Sequence, residues 1–193
     1  MERKLAEDTV NEVFSLYEKF GSLNYIGEQL SQVEHMCQSA QFAEEEGYDE
    51  EVILAALFHD IGHLCEFIMP VSHMEDGIGV ADHELIGHQL LVGKGFSIKI
   101  TDLVRSHVSA KRYLTCRNPE YLEHLSSASK KTLEHQGGPM NQEEAVEFES
   151  DPLFELYLKM RTWDDNAKIT GIPIPDMGHY RDMAIRHLTS KHN

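Results

Sequence analysis

LAALFHDIGHLCE (residues 54–66) runs apolar from Leu54 to Phe58 and then sets His59 and Asp60 side by side before the apolar character fades. A buried carboxylate is costly unless a partner or a metal neutralises it, so this stretch asks what stands opposite Asp60. Upstream, Asp49 is a favourable N-cap, and Glu50 and Glu51 fall in the first turn beside the positive end of a helix dipole. VILAALF alone reads equally as a buried strand; the acidic start and the Leu/Ala content select a helix that begins at Asp49. His59 and Asp60 are then expected at consecutive positions of that helix, about 100° apart and ~1.5 Å along its axis, straddling one ion off its face.

The rest of the chain reads the same way. Apolar positions Leu5, Val10, Val13, Phe14 and Leu16 give a helix over 4–20. A second is expected from Gly27 or Glu28 to Glu46, ended by Gly47, and 67–81 reads as a long loop. Further helices are expected over 82–92, 97–110 (capped by Ser97), 118–136, 141–149 (Asn141 and Glu144 forming a capping box) and 152–168. Residues 171–177 are irregular, and a short helix closes the chain. The expectation is one all-α domain, since 193 residues suit a single core and no linker divides them.

Thirty-three Asp and Glu against seventeen Lys and Arg leave a formal charge of −16, which argues against nucleic acid as a partner. No stretch has the apolar length of a membrane span, and MERKLAEDTV is too charged for a signal peptide. Cys37, Cys65 and Cys116 form no CxxC pair, so a cytoplasmic setting is expected. Twelve histidines are the unusual count.

Six residues stand on or at the ends of expected helices among core-like neighbours: His35, His59, Asp60, His83, His107 and Asp164. Four imidazoles and two carboxylates pointed inward from several helices suit a metal site. With two oxygens on Asp60 they fit two first-row ions better than one, and the absence of Cys argues against structural zinc. The remaining histidines read as background, and His88, five after His83, reads as exposed rather than as a supporting group. His35, His59, His83 and His107 are 24 residues apart, but EHMC, FHDI, DHEL and SHVS share only the histidine, so no repeat is inferred.

H…HD…D, as His35, His59-Asp60 and Asp164, resembles the HD-domain superfamily, and His83 and His107 resemble its dinuclear branch. That implies a helical bundle around a dinuclear site, the whole of 1–193 forming one HD domain with its motifs in 23–168. Most members are phosphohydrolases; a smaller branch holds mixed-valent di-iron oxygenases. Many dinuclear phosphodiesterases read HDIGK, where this chain has His63. YIGE (25–28), LAALFHDIGH (54–63), AKRYLTC (110–116), SASKKTLE (127–134), QGGPMN (136–141) and KMRTWD (159–164) resemble the oxygenases that turn 2-amino-1-hydroxyethylphosphonate into glycine and phosphate.

The resemblance implies a first ion on His35, His59, Asp60 and Asp164, and a second on Asp60, His83 and His107. Both are expected to be iron, as Fe(II)/Fe(III), with O2 as co-substrate. It implies substrate contacts from His63, Lys111, Ser129, Thr132, Gln136 and Arg161, with Tyr25 and Glu28 closing the site and Glu28 facing the substrate ammonium. Ser129, Thr132 and Gln136 fall at i, i+3 and i+7, one helix face. Alternatives are the oxygenase of the trimethylammonium analogue, a dinuclear phosphohydrolase of a small phosphoester, and a metal-bound domain without catalysis.

Overall fold

The structure is a computed structural model and describes residues 1–25, 29–74, 77 and 79–190. Its helices are α1 (Arg3–Phe20), α2 (Gln32–Glu45), α3 (Glu50–Phe58), α4 (Ile61–Leu64), α5 (His83–Gly93), α6 (Ile98–Arg117), α7 (Pro119–His124), α8 (Ser127–His135), α9 (Gln142–Glu149), α10 (Phe154–Asn166) and α11 (Met177–Thr189). Among the described residues there is no strand, only two isolated bridges.

The stretch in question is the hub. Every residue from Val52 to Phe58 is buried, as befits a helix that is apolar all round, and α3 packs against α2, α6, α10 and α11. The main apolar core draws side chains from α1 to α6, α10 and α11. Truncating a fully buried member such as Leu54 or Leu57 to alanine costs about 2–5 kcal/mol.

Caps set most boundaries. The Asp49 carboxylate accepts from Val52 N, Ser97 Oγ from Ile100 N, and Asn141 with Glu144 forms the expected capping box. Gly47, past the end of α2, holds the left-handed φ of 78° that a glycine there supplies at little steric cost. Four expectations are corrected. The second helix starts at Gln32, not Gly27 or Glu28, because Ser31 and Glu34 close a capping box. The helix starting after Ser97 runs to Arg117, well past 110. Residues 118–136 hold two helices, because Leu125 is extended (ψ 142°) and Ser126 caps the second. The closing helix has 13 residues and packs against α1 and α3.

The fifth correction matters most for the site. His59 and Asp60 are not consecutive positions of one unbroken helix. α3 ends at Phe58, and Asp60 takes φ −105°, ψ 11° before α4 begins, a backbone region where turn and active-site residues concentrate. Gly62 then lets α4 approach the first turn of α5, since a Cβ there would lie 1.9 Å from the His83 carbonyl oxygen. Asp82, the one described non-glycine residue at positive φ (54°), launches α5 with His83 in its first turn.

Candidate metal centre and anion-binding cleft

All six expected metal-site residues are buried and converge as two groups: His35, His59 and Asp164, and Asp60, His83 and His107. The Nε2 atoms of His35 and His59 are 3.0 Å apart, as are those of His83 and His107. Two of the three 24-residue intervals, 35–59 and 83–107, therefore end in a paired set of nitrogens, the first from α2 and the end of α3, the second from α5 and α6. Asp60 stands between the groups. Its Oδ2 lies 3.5 Å from His35 Nε2 and 3.6 Å from His59 Nε2; its Oδ1 lies 3.3 Å from His83 Nε2 and 3.4 Å from His107 Nε2. The break after Phe58 sets this orientation, which presents one carboxylate oxygen to each group.

Backbone carbonyls fix the histidine tautomers. His35 Nδ1 lies 2.8 Å from Ala167 O, His59 Nδ1 2.8 Å from Ala56 O, His107 Nδ1 2.8 Å from Val104 O and His83 Nδ1 3.3 Å from Val80 O. A carbonyl only accepts, so Nδ1 carries the proton of each neutral ring and Nε2 presents a bare lone pair. Burial, countered in part by Asp60, holds His59 down to about 4, so it stays neutral near pH 7. Lone pairs facing each other at 3.0 Å repel unless a cation lies between them. Two donors each about 2.0–2.1 Å from a shared ion stand about 3 Å apart at right angles, so the donor set fits a cation in each group. Nδ1–H bound to a backbone carbonyl is the usual support of a metal-ligating histidine.

Asp164 divides its oxygens in another way. Oδ1 lies 3.3 Å from His35 Nε2, and Oδ2 accepts from Arg161 Nη1 at 2.5 Å. Arg161 is 3% exposed; its Nε also donates to Tyr121 Oη at 2.8 Å, and its Nη2 pairs with Asp165. Most of its donors therefore hold Asp164 and Asp165.

The paired groups open onto a cleft of ≈ 550 Å³, part of it continuous with solvent. Seven of the eight expected substrate contacts line it: Tyr25, His63, Lys111, Ser129, Thr132, Gln136 and Arg161. The eighth, Glu28, lies outside the described residues. One wall is a chain of polar groups. Lys111 Nζ donates to Thr132 Oγ1 at 2.9 Å, and the Thr132 hydroxyl donates to Ser129 O at 3.1 Å. The Ser126 hydroxyl donates to Ser129 Oγ at 3.2 Å, which leaves the Ser129 O–H to donate into the cleft. Burial, with the nearby Arg161 charge, pulls the Lys111 ammonium down to about 7, so an anion that restores its charge is favoured there.

His63 lies against His83, ring centroids 4.0 Å apart and nearly parallel. Its Nδ1 accepts from Val80 N at 3.2 Å. Burial, with the His83 ring packed against it, holds His63 well below the ordinary imidazole range, so it is neutral and its proton sits on Nε2 as a donor. Tyr25 stacks on His35 at 3.9 Å.

Sequence reasoning missed several lining residues: Gln32, Met74, Val108, Ala128 and Lys168. A Ser-x-x-Glu pattern before the second helix would have placed Gln32 at its first turn, on the face of His35. Gln32 and Gln136 each have a buried side-chain carbonyl oxygen with no hydrogen-bond partner among the described residues. Two other described histidines have backbone partners. His88 Nδ1 meets Thr101 O at 3.0 Å, and His187 Nε2 accepts from Ser97 N at 3.2 Å in the core.

The HD domain family model matches residues 33–144, the span holding five of the six metal-site residues. The chain belongs to the HD-domain family. Three relatives align over nearly the whole of this HD-domain chain. An uncharacterized protein, L432, of Acanthamoeba polyphaga mimivirus is 45% identical over 95% of this chain and 84% of its own length. The [1-hydroxy-2-(trimethylamino)ethyl]phosphonate dioxygenase (glycine-betaine-forming) of Leisingera caerulea is 40% identical over 92% of this chain and 88% of its own. The hydroxymethylphosphonate dioxygenase of Gimesia maris is 37% identical over 92% and 87%. Asp164 and Arg161 lie beyond the span of the family model, on α10. No described helix is long and apolar enough to cross a membrane.

Proposed function

We propose that this chain is a di-iron oxygenase that uses O2 to cleave the C–P bond of 2-amino-1-hydroxyethylphosphonate, giving glycine and phosphate. The observation that carries the reading is the junction of two acceptor groups sharing Asp60 with a cleft wall of hydroxyl, amide and ammonium groups suited to a phosphonate dianion. Two relatives named as phosphonate dioxygenases support it. The whole chain is proposed to act as one domain, in the cytoplasm, where its three thiols stay free.

In this reading His35, His59, Asp60 and Asp164 hold one iron, and Asp60, His83 and His107 hold the other. A mixed-valent Fe(II)/Fe(III) pair supplies O2 reduction and a Lewis acid for the C1 hydroxyl. The chain does the rest. Lys111, Ser129, Thr132 and Gln136 bind and orient the phosphonate, His63 adds its Nε2–H, and Arg161 positions Asp164. Orientation of this kind lowers the barrier by removing the search for geometry. The atoms balance with one O2 consumed for each glycine and phosphate formed.

The trimethylammonium substrate of the Leisingera relative is the second reading. Quaternary ammonium groups are recognised by aromatic cages. Among the described lining residues Tyr25 is the only aromatic ring besides histidine, and it lies on His35, so the primary amine is preferred. The test is protein purified and loaded with Fe(II) anaerobically, then given O2 and each phosphonate, with glycine, glycine betaine and phosphate read by NMR. Glycine with matched O2 uptake is expected. Glycine betaine alone would establish the second reading, and phosphoester hydrolysis under Mn or Zn without O2 uptake would overturn both.

A further inference from the structure

Gln32 opens α2 and lies three residues before His35, on the same helix face. It is 5% exposed, lines the cleft, and its Oε1 has no hydrogen-bond partner among the described residues. A buried amide oxygen left unpaired carries a desolvation cost that a ligand bringing a donor removes. Among the described residues the cleft carboxylates are engaged, Asp60 by both histidine groups and Asp164 by His35 and Arg161. The anion-binding wall comes from α6 and α8, whereas Gln32 comes from α2. A phosphonate dianion has only acceptors to offer an amide oxygen. The substrate's donors are its ammonium and its C1 hydroxyl, and only the ammonium distinguishes it from hydroxymethylphosphonate and from the trimethylated compound.

We infer that the Gln32 side-chain oxygen accepts a hydrogen bond from the substrate's primary ammonium and thereby selects N–H-bearing phosphonates. The inference rests on the oxygenase reading and adds to it a specificity residue on α2. A site built to receive a donor discriminates strongly against analogues that lack it, because its buried acceptor is then left unpaired.

The test is calorimetric titration of the anaerobic Fe(II)-loaded protein with 2-amino-1-hydroxyethylphosphonate, its N-trimethyl analogue and hydroxymethylphosphonate, with kcat/KM on each as a second readout. Iron content and far-UV circular dichroism accompany every variant. Gln32→Leu is expected to raise Kd for the amine about ten- to hundredfold and to leave the other two within about threefold. Gln32→Glu keeps an oxygen acceptor in place and is expected to restore amine binding. Equal weakening of all three would mean that Oε1 meets the shared hydroxyl or only supports the fold, and would overturn the inference. Unchanged amine binding in Gln32→Leu, or a Gln32→Glu variant as weak as Gln32→Leu, would do the same. Wild-type protein that binds and turns over none of the three would instead sink the oxygenase reading, and this inference with it.

Discussion

Gly62→Ala is a one-carbon change whose consequence follows from the close approach of α4 to α5. The added Cβ would lie 1.9 Å from the carbonyl oxygen of His83, 2.7 Å from its carbonyl carbon and 3.0 Å from the amide nitrogen of Gly87. Real Cβ atoms essentially never come closer than 3.0 Å, so the backbone at His83 must retreat by at least 3.0 − 1.9 = 1.1 Å. All three obstacles are backbone atoms, and no rotamer change relieves them. Metal–ligand distances tolerate about 0.2 Å, so the shift exceeds the tolerance of the second site about fivefold. The first group, His35, His59 and Asp164, comes from α2, the end of α3 and α10 and does not depend on the α4–α5 approach. Overpacking of this kind costs about 1–3 kcal/mol, or roughly 2–12 °C in Tm for a chain of this size. The variant is therefore expected to fold, to bind one metal ion per chain where the wild type is proposed to bind two, and to lose at least about a hundredfold in O2-dependent turnover. Elemental analysis beside circular dichroism and oxygen-electrode assays reads all three. Two ions per chain with near-wild-type turnover would refute the reasoning, because His83 would then be shown to hold its place without Gly62.

Asp60→Ala removes an oxygen from both groups at once and is expected to leave at most one ion per chain and no O2 uptake, with far-UV dichroism unchanged; two retained ions would show that Asp60 bridges nothing. Stripping metal with a chelator is expected to lower Tm by several degrees, reversed by anaerobic Fe(II), because six buried acceptors then converge with no cation between them; an unchanged Tm would count against the site. Lys111 has a folded pKa of about 7 against an ordinary value near 10.5, so its anion-binding form predominates below pH 7 and is lost above it. KM for the phosphonate is accordingly expected to rise up to about tenfold per pH unit above 7, while Lys111→Met shows a higher KM without that limb and an unchanged iron content. A parallel rise in both proteins would assign the limb to another group.

Much of the fold is legible in local chemistry. The apolar run at 52–58 and its acidic start specify the central helix, and Asp49, Ser97 and Asn141 cap their helices as their side chains dictate. The boundaries that escaped were those set by a capping box hidden behind a glycine, at Ser31, and by a backbone turn within a helix-favouring stretch, at Leu125. Which residue types converge was readable as well, since buried His and Asp among core neighbours need a common partner.

What the sequence determined by itself is the donor inventory: four imidazoles, two carboxylates, a lysine and a hydroxyl-bearing helix face. What only the tertiary structure decided is how those groups divide. The turn after Phe58 aims one Asp60 oxygen at each pair of histidines, and four backbone carbonyls choose the tautomer that bares every Nε2. Arg161, expected beside the substrate, lines the cleft and commits most of its guanidinium to Asp164 and Asp165. Gln32, unremarkable in sequence, becomes conspicuous once its oxygen is seen buried without a partner. The physical reason is common to all of these. Residue type fixes which bonds a group can make, but a hydrogen bond or a ligand set depends on direction over a few ångströms, and direction is set by packing between helices far apart in the chain.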